Sequence, residues 1–270
     1  MREVPVYEDV SYFGHNGMTV AYRYFGRDPQ KETILFFYGF GGNMNMLEYI
    51  SECLQKEYSL LVIDYPGHGY SPSNGNFEIG TFVDLCTGLL ASLNENEIIL
   101  LGYSFGGIIG LNFYLKNKAL IKKMVLLNST TCFCPDLITR YFFKFFGLMM
   151  KINFGFVIKN IAIPFLRDRY TTMDIVNLGR KVTMMNGKED VLSYYNSIVY
   201  KDFSYLLAEI TCPVFVVGSR KDFLIPEKNT HNFSKLISDR TLHIMKDIGH
   251  LSIVSKPDSV ADLIRTFLNK

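Results

Sequence analysis

Apolar residues follow two rhythms along this chain, and the change between them divides it. TILFFY (33–38), SLLVID (59–64), IILLGY (98–103) and CPVFVVG (212–218) are apolar at nearly every position. Runs of this kind suit strands buried on both faces of a parallel sheet. KKMVLLN (122–128) and RTLHIM (240–245) read as two further strands. Between these runs lie helical stretches: MLEYISECLQKE (46–57), FEIGTFVDLCTGLLASLNE (77–95), FGGIIGLNFYLKNK (105–118), EKNTHNFSKLI (227–237) and DSVADLIRTFL (258–268). The opening segments VYEDVSYF and MTVAYRYF, on either side of GHNG (14–17), predict a hairpin. The alternation of strand and helix predicts an α/β fold with a mostly parallel central sheet flanked by helices.

The rhythm breaks after Asn128. From Thr131 to Leu207 the chain is helix-like and rich in Phe, Met and Tyr, with no convincing buried strand. The expected organisation is therefore a core from 1–130 and 208–270, with 131–207 inserted as a helical cap. If 137–151 is helical, Arg140, Lys144 and Lys151 share one narrow face and the remainder is broadly apolar. Two readings follow for that helix. The plainer is packing on the core; the sharper is weak contact with a lipid interface or a hydrophobic substrate.

Composition narrows the class. A chain of 270 residues with a formal charge of +2 has no basic run that would suggest nucleic acid. Its five cysteines are odd in number and form no disulfide framework, which suits a reducing compartment. The opening, MREVPVYEDVSYFG, lacks the apolar core of a secretory signal. Lys144, Lys151 and Lys159 interrupt the most apolar segment, 141–166, so no transmembrane span is expected. The expected location is cytoplasmic.

GYSFG (102–106) matches G-x-S-x-G at a strand-to-helix boundary, where the pattern forces a serine into a strained, exposed turn. An ordinary glycine turn with a capping serine is the alternative. A serine hydroxyl needs a base to accept its proton. His15, His231 and His243 have simple structural readings in a turn, a helix and a strand. His68, in PGHG, lies near the sheet edge. His250, in DIGHLS just past the last strand, lies at the same carboxyl edge as Ser104, where sites form in open α/β sheets. His250 is the expected base. Asp222, just beyond VFVVG, is the expected acid that orients it. The N–H groups of Phe105 and Phe40, the latter in the loop YGFGGN, are the candidate oxyanion donors, although a simple glycine turn explains that loop equally well.

The strand–elbow–helix, the order Ser104…Asp222…His250 and the glycine loop together resemble the α/β-hydrolase superfamily over essentially the whole chain. DYPGHGYS (64–71) is similar to a family segment, D-x-P-G-x-G-x-S. That likeness implies a structural Asp64 and counts against His68 as the base. Ser at 104 argues against haloalkane dehalogenase or epoxide hydrolase chemistry. Tyr38 departs from the family, whose members usually carry histidine there as a support for the loop.

The resemblance implies that 131–207 forms a lid that sets substrate choice. FFKFFGLMM, FGFV, TMM and SYY would line an apolar, Met-rich cavity, with Gly39, Phe40, Phe145 and Met149 as substrate-binding candidates. A small apolar ester, cleaved without cofactor or metal, is the leading substrate. Thioesters, lactones, carbon–carbon bonds and perhydrolysis use the same machinery, and a non-catalytic receptor of this fold is the second class. The oligomeric state is open.

Overall fold

A computed structural model describes residues 4–73 and 75–270. The chain opens with β1 (Ser11–His15) and β2 (Met18–Phe25), joined at Asn16–Gly17, both with positive φ, in a two-residue hairpin loop. Strand β1 starts five residues later than the expected VYEDVSYF and runs on through Gly14 and His15. Side-chain packing holds the preceding segment instead. The Tyr7 ring meets Phe25 edge-on and lies under the Arg23 guanidinium.

There follow β3 (Thr33–Phe37), α1 (Glu48–Leu54), β4 (Ser59–Ile63), α2 (Ile79–Leu93), β5 (Ile98–Tyr103), α3 (Phe105–Lys116) and β6 (Ile121–Leu127). Four helices then intervene: α4 (Leu137–Val157), α5 (Ile163–Phe165), α6 (Met173–Met184) and α7 (Lys188–Ile198). The chain closes with β7 (Val214–Ser219), α8 (Glu227–Ser234), β8 (Arg240–Met245), α9 (Ser252–Ser255) and α10 (Pro257–Leu268).

The eight strands form one sheet in the order β1-β2-β4-β3-β5-β6-β7-β8. Only the pairs β1–β2 and β2–β4 are antiparallel. Every residue of β3, β4, β5 and β7 is buried, as their unbroken apolar runs require. From β3 the chain crosses to β4 on one side, then returns past β3 to β5 on the other. Right-handed crossovers in opposite directions put α1 and α2 on opposite faces. Accordingly α10 packs with α1, and α3 with α2. The reversal opens a crevice beyond the carboxyl ends of β3 and β5, the usual ligand position in such sheets.

The segment between β6 and β7 is pinned at its ends. Cys132 bridges Asp202, and the Phe203 N–H donates to the Thr131 carbonyl at 2.9 Å. Helix α4 begins at a capping box, with Asp136 accepting from the Thr139 N–H at 2.8 Å. A helical run from 137 to 165, kinked at Asn153, is long and apolar enough by composition to reach across a bilayer. Phe143, Gly147, Met150, Phe154 and Val157 seat one face of this helix in the fold.

Candidate active site

Strand register brings the expected residues to one edge. Phe37 pairs with Gly102, Tyr103 with Leu127, and Leu127 with Val217, so the loops that follow emerge side by side. Ser104 sits between β5 and α3 at φ 54°, ψ −124°, a conformation costly for a residue with a side chain. Neighbouring glycines make that turn fit. A Cβ on Gly106 would lie 2.1 Å from the Phe37 carbonyl oxygen, and one on Gly39 would lie 2.9 Å from the Ser104 Cβ.

The structure brings Ser104, His250 and Asp222 into a row. His250 Nε2 is 2.9 Å from Ser104 Oγ, and His250 Nδ1 is 2.7 Å from Asp222 Oδ2. A carboxylate only accepts, so Nδ1–H donates to Asp222 and the Nε2 lone pair faces the serine hydroxyl. All three are buried, with Ser104 only 2% exposed. The Asp222 carboxylate also accepts from the N–H groups of Leu224 (2.9 Å) and Ile225 (2.8 Å) and from Asn128 Nδ2 (3.0 Å). Four donors therefore fix it. Such a row can move a proton from the hydroxyl to the imidazole and return it to a leaving group.

Phe105 is the first residue of α3, so its N–H has no acceptor within the helix. Phe40 lies on the facing loop, its ring 5.5 Å from that of Phe105. Tyr38 settles the question its presence raised. It is fully buried, accepts from the Tyr65 N–H at 2.8 Å and donates to Asp64 at 3.3 Å. Asp64 in turn accepts from the N–H groups of Met44 (2.7 Å) and Tyr70 (2.9 Å), tying the loop after β3 to the loop after β4. Burial pushes its carboxyl up to about 7. His68 is held away from the row, with Nδ1 3.0 Å from the Pro66 carbonyl, and burial lowers it to about 4.

Beside the row is a cavity of about 140 Å³. Phe40, Phe105, Phe143, Phe146, Tyr195 and Leu224 line its interior, and Phe142, Ile161, Ala162, Phe165 and Leu166 complete it. Four candidates fare differently here. Phe40 lines the cavity. Gly39 lies against Ser104 instead of in the wall. Phe145 is 63% exposed on the far side of α4, and Met149 is half-buried outside the lining. Helical spacing explains Phe145, which lies about 160° round the helix from Phe143, a lining residue on the buried face of α4. The lining is phenylalanine-rich rather than Met-rich: Met184 and Met185 are exposed, and Phe154 and Val157 are buried elsewhere.

The family model for the alpha/beta hydrolase fold matches residues 32–174, more than half of the chain. The chain belongs to this family. Among curated relatives of this α/β hydrolase, a pimeloyl-[acyl-carrier protein] methyl ester esterase of Aliivibrio fischeri is 21% identical, covering 92% of this chain and 97% of its own. Proline iminopeptidase PfmaB of Pestalotiopsis fici is 24% identical, covering 94% and 98%. Among solved structures, the enol-lactonase from Burkholderia xenovorans superposes with a TM-score of 0.86 at 19% identity, covering 96% of this chain and all of that one. The kinship makes the chain a hydrolase.

Three supports escaped the sequence reading. Asn128 bridges Asp222, Ser219 Oγ (2.8 Å) and Ser252 Oγ (2.8 Å). An asparagine directly after an apolar strand was the available signal. Asn186 donates to the Gly41 carbonyl (2.9 Å) and accepts from Asn43 Nδ2 (3.0 Å) and the Gly69 N–H (2.9 Å), clamping the glycine loop from the helical segment. Asp168 accepts from the Gly249 N–H at 2.6 Å, beside His250. The sequence carried no signal for either of these last two, because both act across long separations.

Proposed function

We infer that this hydrolase is a serine esterase that cleaves esters of a small apolar acyl group. The reading is carried by the row of 2.9 Å and 2.7 Å contacts from Ser104 through His250 to Asp222, set beside an apolar cavity. His250 Nε2 takes the hydroxyl proton as Ser104 Oγ bonds to the ester carbonyl carbon. The N–H groups of Phe40 and Phe105 stabilise the oxyanion that forms. His250 then gives the proton to the departing alkoxide, leaving an acyl-enzyme and a free alcohol. Water attacks next, His250 accepts its proton and returns it to Ser104 Oγ, and the carboxylic acid leaves.

The cavity supports the choice of acyl group. Its volume is close to that of an engineered apolar cavity of roughly 150 Å³ that holds benzene. A short branched or phenyl acyl chain fits such a space. Residues 131–207 act as the lid over the core of 1–130 and 208–270, supplying Phe143, Phe146 and Tyr195 to the wall.

A fluorophosphonate probe tests the nucleophile. The native protein should label at Ser104, and Ser104→Ala should lose both label and p-nitrophenyl butyrate turnover. Full turnover by Ser104→Ala, or by His250→Gln, would end the reading. A panel of matched esters, thioesters and lactones then ranks the bond types.

A further inference from the structure

The outer face of α4 is apolar where a solvent-facing helix should be polar. Ile138, Tyr141, Phe145, Leu148 and Ile152 repeat at spacings of three and four, which aligns them in one stripe. All five are exposed, Ile138 at 83% and Ile152 at 71%. An unpartnered patch of this extent on a globular surface marks a contact site.

Charge selects the occupant. From Leu137 to Arg167 the chain carries Arg140, Lys144, Lys151, Lys159 and Arg167 and no aspartate or glutamate. Lys144 and Lys151 are exposed, and helical geometry puts them on one flank of the stripe with Arg140. Lys188, which also pairs with Glu189, donates to the Lys151 carbonyl at 2.9 Å, and beyond the Asn153 kink Arg180 Nε donates to the Lys159 carbonyl at 2.7 Å. A second copy docked face to face would bring these like charges together. An anionic lipid surface would accept both features, apolar stripe and basic flank.

The cavity opens on the same face. Phe142, Ile161 and Phe165 line it and are also exposed, and Phe142 lies between Ile138 and Phe145 on the helix. We propose that α4 docks this hydrolase peripherally on an anionic bilayer, with the stripe in the acyl–headgroup boundary and the cavity mouth facing the lipid. An apolar substrate then enters from the membrane without crossing water. Only this delivery step rests on the esterase reading. Docking is measured without turnover, so the two can fail separately.

The test is sedimentation of the full chain with vesicles of phosphatidylcholine, with or without about a third phosphatidylglycerol. The protein should pellet with the anionic vesicles and be released by high salt. Each surface cation contributes about 1 kcal/mol near such a surface. By that constant, Lys144→Gln with Lys151→Gln should weaken binding roughly 30-fold. Phe145→Ser with Ile152→Ser should weaken it at least about tenfold. The chain has no tryptophan, so Phe145→Trp supplies a single reporter whose emission should shift to the blue on anionic vesicles. Unchanged melting curves establish that the variants fold. The proposal is overturned if the native chain stays in the supernatant, if neutral vesicles bind it equally, or if the lysine pair changes nothing. It is also overturned if ultracentrifugation shows a dimer that Phe145→Ser with Ile152→Ser splits, since the stripe would then belong to a second copy.

Discussion

Replacing Asp64 by asparagine should destabilise the fold by an amount that grows as the pH falls. Asp64 is wholly buried, and its carboxyl is raised by that burial from an ordinary 3.8 to about 7, against the pull of the Tyr70, Met44 and Tyr38 donors. The folded protein therefore binds a proton at this site that the unfolded chain releases above pH 4. Stability from this group is fully present below 3.8 and is lost as the pH rises through about 7. Linkage gives about 2.5 kcal/mol between pH 8 and pH 5. His68 opposes it. Burial lowers His68 from 6.5 to about 4, so its contribution is present above 6.5 and lost as the pH falls through about 4. The native curve is thus partly compensated, and the informative quantity is the difference between Asp64→Asn and the native chain. Asparagine leaves one of the two backbone donors facing an NH₂ group, a cost of about 1–3 kcal/mol at any pH. Urea denaturation from pH 5 to pH 8 should show the Asp64→Asn penalty growing by about 2.5 kcal/mol toward the acid end. A penalty that is flat with pH, or that shrinks toward pH 5, would refute the reasoning.

Other outcomes follow from the same contacts. Gly39→Ala places a Cβ 2.9 Å from the Ser104 Cβ and should lower kcat about a hundredfold with little change in melting temperature; unchanged ester turnover contradicts it. Asn186→Ala removes four hydrogen bonds, three to the glycine loop and one to Gly69, so urea melts should lose about 3 kcal/mol and kcat should fall with it. Phe146→Ala enlarges the cavity and should move the best p-nitrophenyl ester to a longer acyl chain, as kcat/KM across a chain-length series will show.

The chain order of the site was legible in the sequence because each part follows a strand. An unbroken apolar run such as IILLGY announces a strand buried on both faces, and the residue after it must emerge at the carboxyl edge. Ser104, Asp222 and His250 were found on that logic, and the structure brings them together. Gly39 was expected in the substrate wall, and only the structure shows that a Cβ there would crowd Ser104 and one on Gly106 would crowd the Phe37 carbonyl. Local signals also predicted the hairpin, but β1 begins only at Ser11, and Tyr7 packs its ring on Phe25 and under Arg23 instead of joining the ladder.

Tertiary structure alone decided which face of α4 is inside. The sequence put Arg140, Lys144 and Lys151 on one narrow face, but the rest of the wheel is broadly apolar and does not say which part of it lies inside. Seating Phe143, Gly147 and Met150 on the fold turned Phe146 toward the cavity and left Phe145 in solvent. The clamps on the site were beyond the sequence for a related reason. Asn186 meets Gly41 across 145 residues and Asp168 meets Gly249 across 81. Hydrogen bonds of that span depend on how the helical segment lies over the sheet. Periodicity records what a residue does within its own strand or helix, and only packing between those elements decides which distant partner it meets.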